Sequence, residues 1–306
     1  MISLSSVLLD VDAAAADHPA LERAADLAAR CGAQLKIVDV LPWLPAGVRR
    51  IPGVNLEQEL VAYRHGRLEA LAASVSRIPV STSLLRGRPA TALVQEVLAG
   101  GHDLVVRSHD RDLAGSPRLY GAVDMELLRV CPCPVWLIGR GPSHTPRRIV
   151  AAVNAEAPEP TEQELNRTVT EWALTLRDLT GAGITLLYAW IPFGASLLEA
   201  RLSETEFAEY LEEARRAADS AMRAFTDSFD GRLSSATIEV VRGEPDRAIA
   251  DFVRSHEIDL VVLGTVARTG IPGLLMGNTA EHVLRRLQGS VLAVKPTGFV
   301  SPIAPA

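Results

Sequence analysis

The sequence predicts an α/β protein made of two consecutive copies of one doubly wound parallel module, and three observations carry that expectation. The chain repeats itself: "HDLVVRSHDRDLAGSPRLYGAVDMELLRVCPCPVWLI", starting at His102, aligns without a gap on "IDLVVLGTVARTGIPGLLMGNTAEHVLRRLQGSVLAV", starting at Ile258. The same register carries "RGRPATALVQEVL" from Arg86 onto "RGEPDRAIADFVR" from Arg242, and a repeat this long fixes the architecture before any single element is assigned. Short Val/Ile/Leu runs bounded by Gly, Pro or Asp alternate with segments of helical period, which is the signature of βαβ units. Finally, 306 residues at 48% apolar and 22% charged are enough for two ordinary cores.

Taken in order, "SVLLDVD" in the first copy matches "RIVAAVN" in the second, and "AQLKIVDVLP" matches "GITLLYAWIP", with a longer first helix in the second copy. Between the copies "GRGPSHTPRR", residues 139–148, has no apolar period and reads as a linker, giving domains at 1–140 and 147–300. In the second copy strands are expected near 149–153, 184–191, 237–242, 260–264 and 291–294. The helices between them are "TEQELNRTVTEWALTLRDLT", "SETEFAEYLEEARRAADSAMRAFTDSF", "EPDRAIADFVRSH" and "NTAEHVLRRL". The run "DLVVLG" is apolar throughout, as a central strand covered on both faces must be. Each copy is thus expected to form its own parallel five-stranded sheet. The two sheets are expected to face each other as an intramolecular pseudo-dimer, with the last strands "PVWLIG" and "SVLAVKP" as the edges to be buried.

Several function classes fall away. A net charge of -6 disfavours a nucleic-acid partner, because such binding depends on clustered Lys and Arg. Aromatic residues at 5% offer little stacking platform for single strands. The start "MISLSSVLLDVD" lacks the pattern of a secretory signal, and no apolar run reaches the roughly 18 residues of a membrane span, so a cytoplasmic protein is expected. Cys31, Cys131 and Cys133 cannot pair off evenly, and no second ligand pair follows "CPCP" at zinc spacing, so no metal is expected from the protein itself. The only lysines, Lys36 and Lys295, are remote in sequence from both glycine loops, which excludes a P-loop. No set of residues forms a nucleophile, a base and an orienting group, so catalysis is not expected. His109 in "SHDRD" reads as a solvated loop residue.

In an open sheet of this kind a ligand sits beyond the carboxyl ends of the strands, where the strand order reverses. That selects Asn154, Ala189 and the stretch from Leu263 and Gly264 onward. There "VLGTVARTGIPGLLMGNTAEHVL" runs into "SVLAVKP". A first strand ending in Asp, then Gly, two residues, Gly, nine residues, Gly and a small hydroxyl residue, then an "AExVL" helix and an apolar last strand: this arrangement resembles the universal stress proteins. The resemblance covers essentially the whole chain, twice. It implies an adenine nucleotide alpha hydrolase-like, Rossmann-like fold for each copy, and ATP or another adenine nucleotide, with its Mg, as ligand. Any hydrolysis it implies is slow. Carried over by position, Gly264 is the first glycine, Ala267 replaces the second, and Gly277 is the third. Asn278 and Thr279 stand at the hydroxyl position, Asn154 replaces the aspartate at the adenine edge, and Ala189 is the residue whose backbone meets adenine.

The residues themselves leave two readings open. Gly277, Asn278 and Thr279 open a helix whose free N–H groups attract an anion, Arg268 adds a charge, and Asn154 can still read an adenine edge. Equally, Gly264 can simply end a strand, Gly277 relieve a turn and Asn278 cap its helix. The first copy departs further: Ser108 and Arg111 replace the first two glycines, and Ala122-Val123 replace Asn-Thr. Asp110, Asp112 and Asp124 bring charge that repels phosphate, although Asp12 and Gly121 are retained. The first copy is therefore expected to be a packing partner without a phosphate site. The long second-copy helix is expected to pack Phe207, Tyr210, Leu211, Ala214 and Ala218 on its sheet, while Trp43, Leu44 and Val48 suggest an apolar pocket or a dimer contact. Three functions remain: a nucleotide sensor in the stress response, a nucleotide-independent scaffold with a protein partner, and a carrier of an apolar small molecule.

Overall fold

The computed structural model describes residues 2–43, 55–108, 120–139, 145–265, 276–287 and 289–305. The first half runs β1 (Ser6–Asp10), α1 (Pro19–Cys31), β2 (Gln34–Leu41), α2 (Leu56–Ser74), β3 (Val80–Arg86), α3 (Pro89–Gly100), β4 (Leu104–Ser108), α4 (Ala122–Val130) and β5 (Val135–Ile138). The second half runs β6 (Arg148–Ala152), α5 (Pro160–Thr180), β7 (Gly183–Trp190), α6 (Ala195–Glu199), α7 (Glu204–Asp227), β8 (Thr237–Arg242), α8 (Pro245–Ser255), β9 (Leu260–Gly264), α9 (Asn278–Leu284) and β10 (Ser290–Val294). The sequence fixes many of these ends chemically. Pro19, Pro89, Pro160 and Pro245 open their helices, where no N–H is needed, and Gly32, Gly101 and Gly181 close theirs in the left-handed conformation. The short α6 was not foreseen; five residues carry no period to read.

The strands join into one ten-stranded sheet in the order β3-β2-β1-β4-β5-β10-β9-β6-β7-β8. This corrects the expectation of two sheets facing each other: the halves lie edge to edge and share a single sheet. All pairings are parallel except β5 with β10. The last strands are the joining edges, as the sequence implied, and their register carries the symmetry. Trp136 pairs with Leu292, its own equivalent in the repeat, while Val135 pairs with Ala293 and Leu137 with Val291. Such self-equivalent pairing is the mark of a two-fold axis through the Trp136–Leu292 pair. Because the junction is antiparallel, the carboxyl ends of the strands point in opposite directions in the two halves.

The register also corrects the upstream alignment by one residue. Ser6 pairs with Gln34, and its equivalent Arg148 pairs with Gly183, so Gln34 rather than Ala33 corresponds to Gly183. The burial strings of β2 and β7 agree only in this register, as they must where a slip of one would turn every side chain to the wrong face.

One core layer, under α1, α2, α5 and α7, crosses the junction through Trp136 and Leu292. The other lies under α3, α4, α8 and α9 and crosses it through Val135, Leu137, Val291 and Ala293. Each half also locks its first strand to its fourth in the same way. The Asp103 carboxylate accepts from the N–H groups of Ser5 and Ser6 at 2.7 and 2.9 Å, and Asp259 accepts from Arg147 and Arg148 at 2.8 and 2.9 Å. In the long helix α7 the buried residues are Ala218 and Met222, with Ala214 and Phe225 packed beside them. The apolar face therefore sits nearer the carboxyl end than the sequence placed it, and the Phe207 and Tyr210 rings lie beside each other in a tilted pair, with centroids 6.1 Å apart.

Candidate functional site

Strand order reverses between β1 and β4 in the first half and between β6 and β9 in the second, so each half has one crevice at its switch point. In the first half that crevice is lined by the chain's own ions. Arg107 at the end of β4 donates to Asp124 at 2.6 Å and pairs with Asp10, its register partner at the end of β1. Asp124 has 0% exposure, and its other oxygen accepts the Gly121 N–H at 3.0 Å, so a carboxylate of the chain caps the first turn of α4. Arg64 on α2 adds a second bridge, to Asp39 at 2.7 Å and to Asp12 at 3.0 Å. Burial pushes the Asp39 carboxyl up, against the pull of the Arg64 guanidinium. At the rim, burial and the Arg67 guanidinium push His18 down. What remains is a cleft of about 280 Å³ lined with these charges. The sequence reading named Asp124 as a repelling charge. The structure shows it paired with Arg107 at 2.6 Å, so its charge is compensated within the chain. Asp110 and Asp112 lie outside the described residues.

The second crevice is built from the same positions with the opposite chemistry. Ala152 pairs with Leu263 where Asp10 pairs with Arg107, and Ala280 stands where the repeat has Asp124. All three are apolar, with Leu263 at 4% and Ala280 at 8% exposure. Gly277 is the N-cap of α9 at φ -60, ψ 138, with no side-chain cap, and its N–H donates to the Thr265 carbonyl at 3.4 Å. Asn278 is therefore the first helical residue and not the cap, with Thr279 behind it.

Asn154 follows β6 and is held through its backbone. Asn166 on α5 accepts its N–H at 3.0 Å and donates to its carbonyl at 2.8 Å, two bonds that leave the Asn154 side chain out of this contact. Ala189 is buried on β7, and the neighbouring Tyr188 hydroxyl donates to Glu156 at 2.7 Å. Gly264 needs no ligand to explain it. A methyl group there would come within 2.5 Å of the Leu165 side chain, so the missing side chain makes room for α5. Thus Asn154, Leu263, Gly264, Gly277, Asn278 and Thr279 gather around the β6–β9 crevice, with Ala189 near the end of the adjacent strand. Ala267 and Arg268 lie outside the described residues.

Sequence reasoning missed Asn166 and Leu165, which sit on a helix whose apolar period gave no sign of a polar clamp. It also missed Asp10 and Arg107, although a lone charge inside each of two apolar strands was a readable signal. Elsewhere, Cys131 and Cys133 are free thiols with sulfurs 3.6 Å apart, and contact with Cys131 together with burial pushes the Cys133 thiol up. No group of three metal-ligating side chains occurs among the described residues, and no helix there is long and apolar enough to cross a membrane.

Comparison with known proteins gives one consistent result. Residues 5–139 and 147–295 each match the universal stress protein family. Universal stress protein E of Escherichia coli K12 is 28% identical over 314 residues, covering 99% of this chain and 98% of that one. A universal stress protein E homolog of Haemophilus influenzae is 31% identical over 208 residues, 68% of this chain and 67% of its own length. Among solved structures, a functionally unknown protein from Pseudomonas aeruginosa PAO1 superposes with a TM-score of 0.69 at 25% identity, covering 96% of this chain and 93% of that one. A universal stress protein from Archaeoglobus fulgidus gives 0.67 at 14% identity, over 95% of this chain and 96% of that one, and shares the fold.

Proposed function

This chain belongs to the universal stress protein family, and from that premise we propose that it is a non-catalytic regulatory protein of the stress response, working in the cytoplasm, that binds one adenine nucleotide in its second half. The two units we assign to residues 1–140 and 147–300, with the first serving as a packing partner. The observation that carries this reading is the exchange of Asp10, Arg107 and Asp124 for Ala152, Leu263 and Ala280 at equivalent positions. An apolar floor suits a purine face, whereas the ionic set of the first half occupies the same space. The first turn of α9 has no side-chain cap, and N–H groups there suit a phosphate. Asn154 would meet the adenine edge, Ala189 would contact the ring through its backbone, and Gly277, Asn278 and Thr279 would meet the phosphates with Mg. Leu263 and Gly264 would form the wall, and Ala267 and Arg268, which follow in sequence, are proposed to contribute to the same site.

A nucleotide-independent scaffold is favoured by one specific contact, the packing of Leu165 on Gly264, which accounts for that glycine without a ligand. Thermal unfolding with millimolar ATP and Mg separates the two. Binding raises the midpoint, and Asn154→Leu, which removes the group proposed to read adenine, cancels the rise while leaving the unliganded midpoint near that of the parent. An unchanged midpoint at millimolar ATP supports the scaffold.

A further inference from the structure

Across β7 from the proposed nucleotide crevice, at the outer edge of the sheet, α7 stands off from β8 and leaves a cleft of about 580 Å³. Its floor is apolar, made by Trp190, Met222, Ile238 and Val240. Its rim carries Arg215, Arg223 and Arg242 against one carboxylate, Asp219. Arg215 reaches Asp219 only at 3.8 Å and Glu212 at 3.9 Å, on an exposed helix face where such pairs hold little. Among the described residues neither Arg223 nor Arg242 has an ion-pair partner.

The first half supplies an internal control. The register places Thr82 and Arg86 of β3 where β8 has Ile238 and Arg242. There the seam is closed from the helix side: Thr82 donates to Glu69 at 2.5 Å, and Arg86 pairs with Glu57. Both carboxylates lie on α2, which covers β3. In the second half the matching Arg242 and the covering helix's Arg215 and Arg223 line the cleft together, with no carboxylate of α7 bonded to Arg242 among the described residues. Three guanidinium groups at the rim of an apolar floor offer an anion several charge-assisted hydrogen bonds at once.

We infer that the α7–β8 cleft is a second ligand site, taking a small molecule with one anionic group, a carboxylate, sulfonate or phosphate, on an apolar body. The volume lies in the range of about 300–1,000 Å³ typical of small-molecule sites. The anion would lie among Arg215, Arg223 and Arg242, and the body would cover Trp190 and Ile238, which is 40% exposed without it. The site is independent of the nucleotide reading, because no residue of the β6–β9 crevice lines it.

The probe is the fluorescent sulfonate 1-anilinonaphthalene-8-sulfonate, titrated into the full chain, with its uncharged analogue N-phenyl-1-naphthylamine as control. Saturable one-to-one binding is expected for the sulfonate, at least tenfold weaker for the neutral analogue. The double variant Arg223→Glu/Arg242→Glu, both exposed side chains, is expected to weaken sulfonate binding at least tenfold. Ile238→Trp, which fills the cleft, is expected to do the same, while Ala280→Asp in the nucleotide crevice leaves it unchanged. No saturable binding, equal binding by the double variant, or loss only in Ala280→Asp overturns the site; the last result would place the probe in the crevice.

Discussion

At the scale of single residues, the asymmetry between the halves rests on three positions. Asp10, Arg107 and Asp124 are 5%, 12% and 0% exposed at their side chains, so each depends on the others for its charge. Removing one member of such a set leaves an uncompensated buried charge and costs about 3–5 kcal/mol, whereas replacing the whole set with well-packed apolar residues is near neutral. Arg107→Leu is therefore expected to lower stability by about 3–5 kcal/mol in urea unfolding, in line with those costs. The triple change Asp10→Ala/Arg107→Leu/Asp124→Ala, which copies the second half, is expected to recover most of that loss. A triple variant less stable than Arg107→Leu alone would mean that the positions are not interchangeable between halves. Part of this was legible: "SVLLDVD" and "LVVRS" each carry a charge within an apolar strand, and two buried strands with opposite charges at matching depth imply a pair. The Arg64 bridge to Asp39 was not legible, because nothing in the sequence fixes which turn of α2 faces β2.

At the scale of elements, Gly264 shows why a motif position can mislead. Its glycine lies at the end of β9 and reads as a phosphate cradle, yet its close neighbour is Leu165 on α5. Gly264→Ala is expected to destabilise by about 1–3 kcal/mol through overpacking, and Leu165→Ala in the same chain is expected to relieve the clash. A Gly264→Ala variant as stable as the parent would mean that the Leu165 side chain turns aside freely, and would contradict the packing account of this glycine. Helices with a Pro start and a Gly stop, and strands with uniform apolar runs, were readable to within a residue or two. The burial face of α7 and the existence of α6 were not, since both depend on how the long connection after β7 folds back over the sheet. The one-residue slip between β2 and β7 has a different origin: the prolines at 42 and 192 match in sequence, while strand pairing aligns Pro42 with Ile191.

At the scale of the whole molecule, the halves are joined by the antiparallel β5–β10 pair and by side chains that cross the axis. Lys295, beyond β10, donates to the Leu128 carbonyl at the end of α4 at 2.6 Å. Burial lowers its pKa to about 8. The unfolded chain holds that proton up to the ordinary value of about 10.4, so between these limits unfolding takes up a proton and stability rises with pH. Urea midpoints are expected to increase across that window from this group, and Lys295→Met is expected to remove its share of the rise; an identical pH profile in the variant would contradict the buried charge. That two modules exist was plain from the repeat, and so were their joining edges. That the edges merge two sheets into one depends on a register which no single strand encodes. The same junction turns the two crevices toward opposite ends of the sheet, and the central claim is that only one of them admits a nucleotide. Calorimetric titration with ATP and Mg addresses this most directly. One nucleotide per chain is expected, retained in Asp124→Ala and lost in Ala280→Asp, which places the first half's carboxylate in the second. Two nucleotides per chain, or binding that survives Ala280→Asp and vanishes in Asp124→Ala, would contradict it.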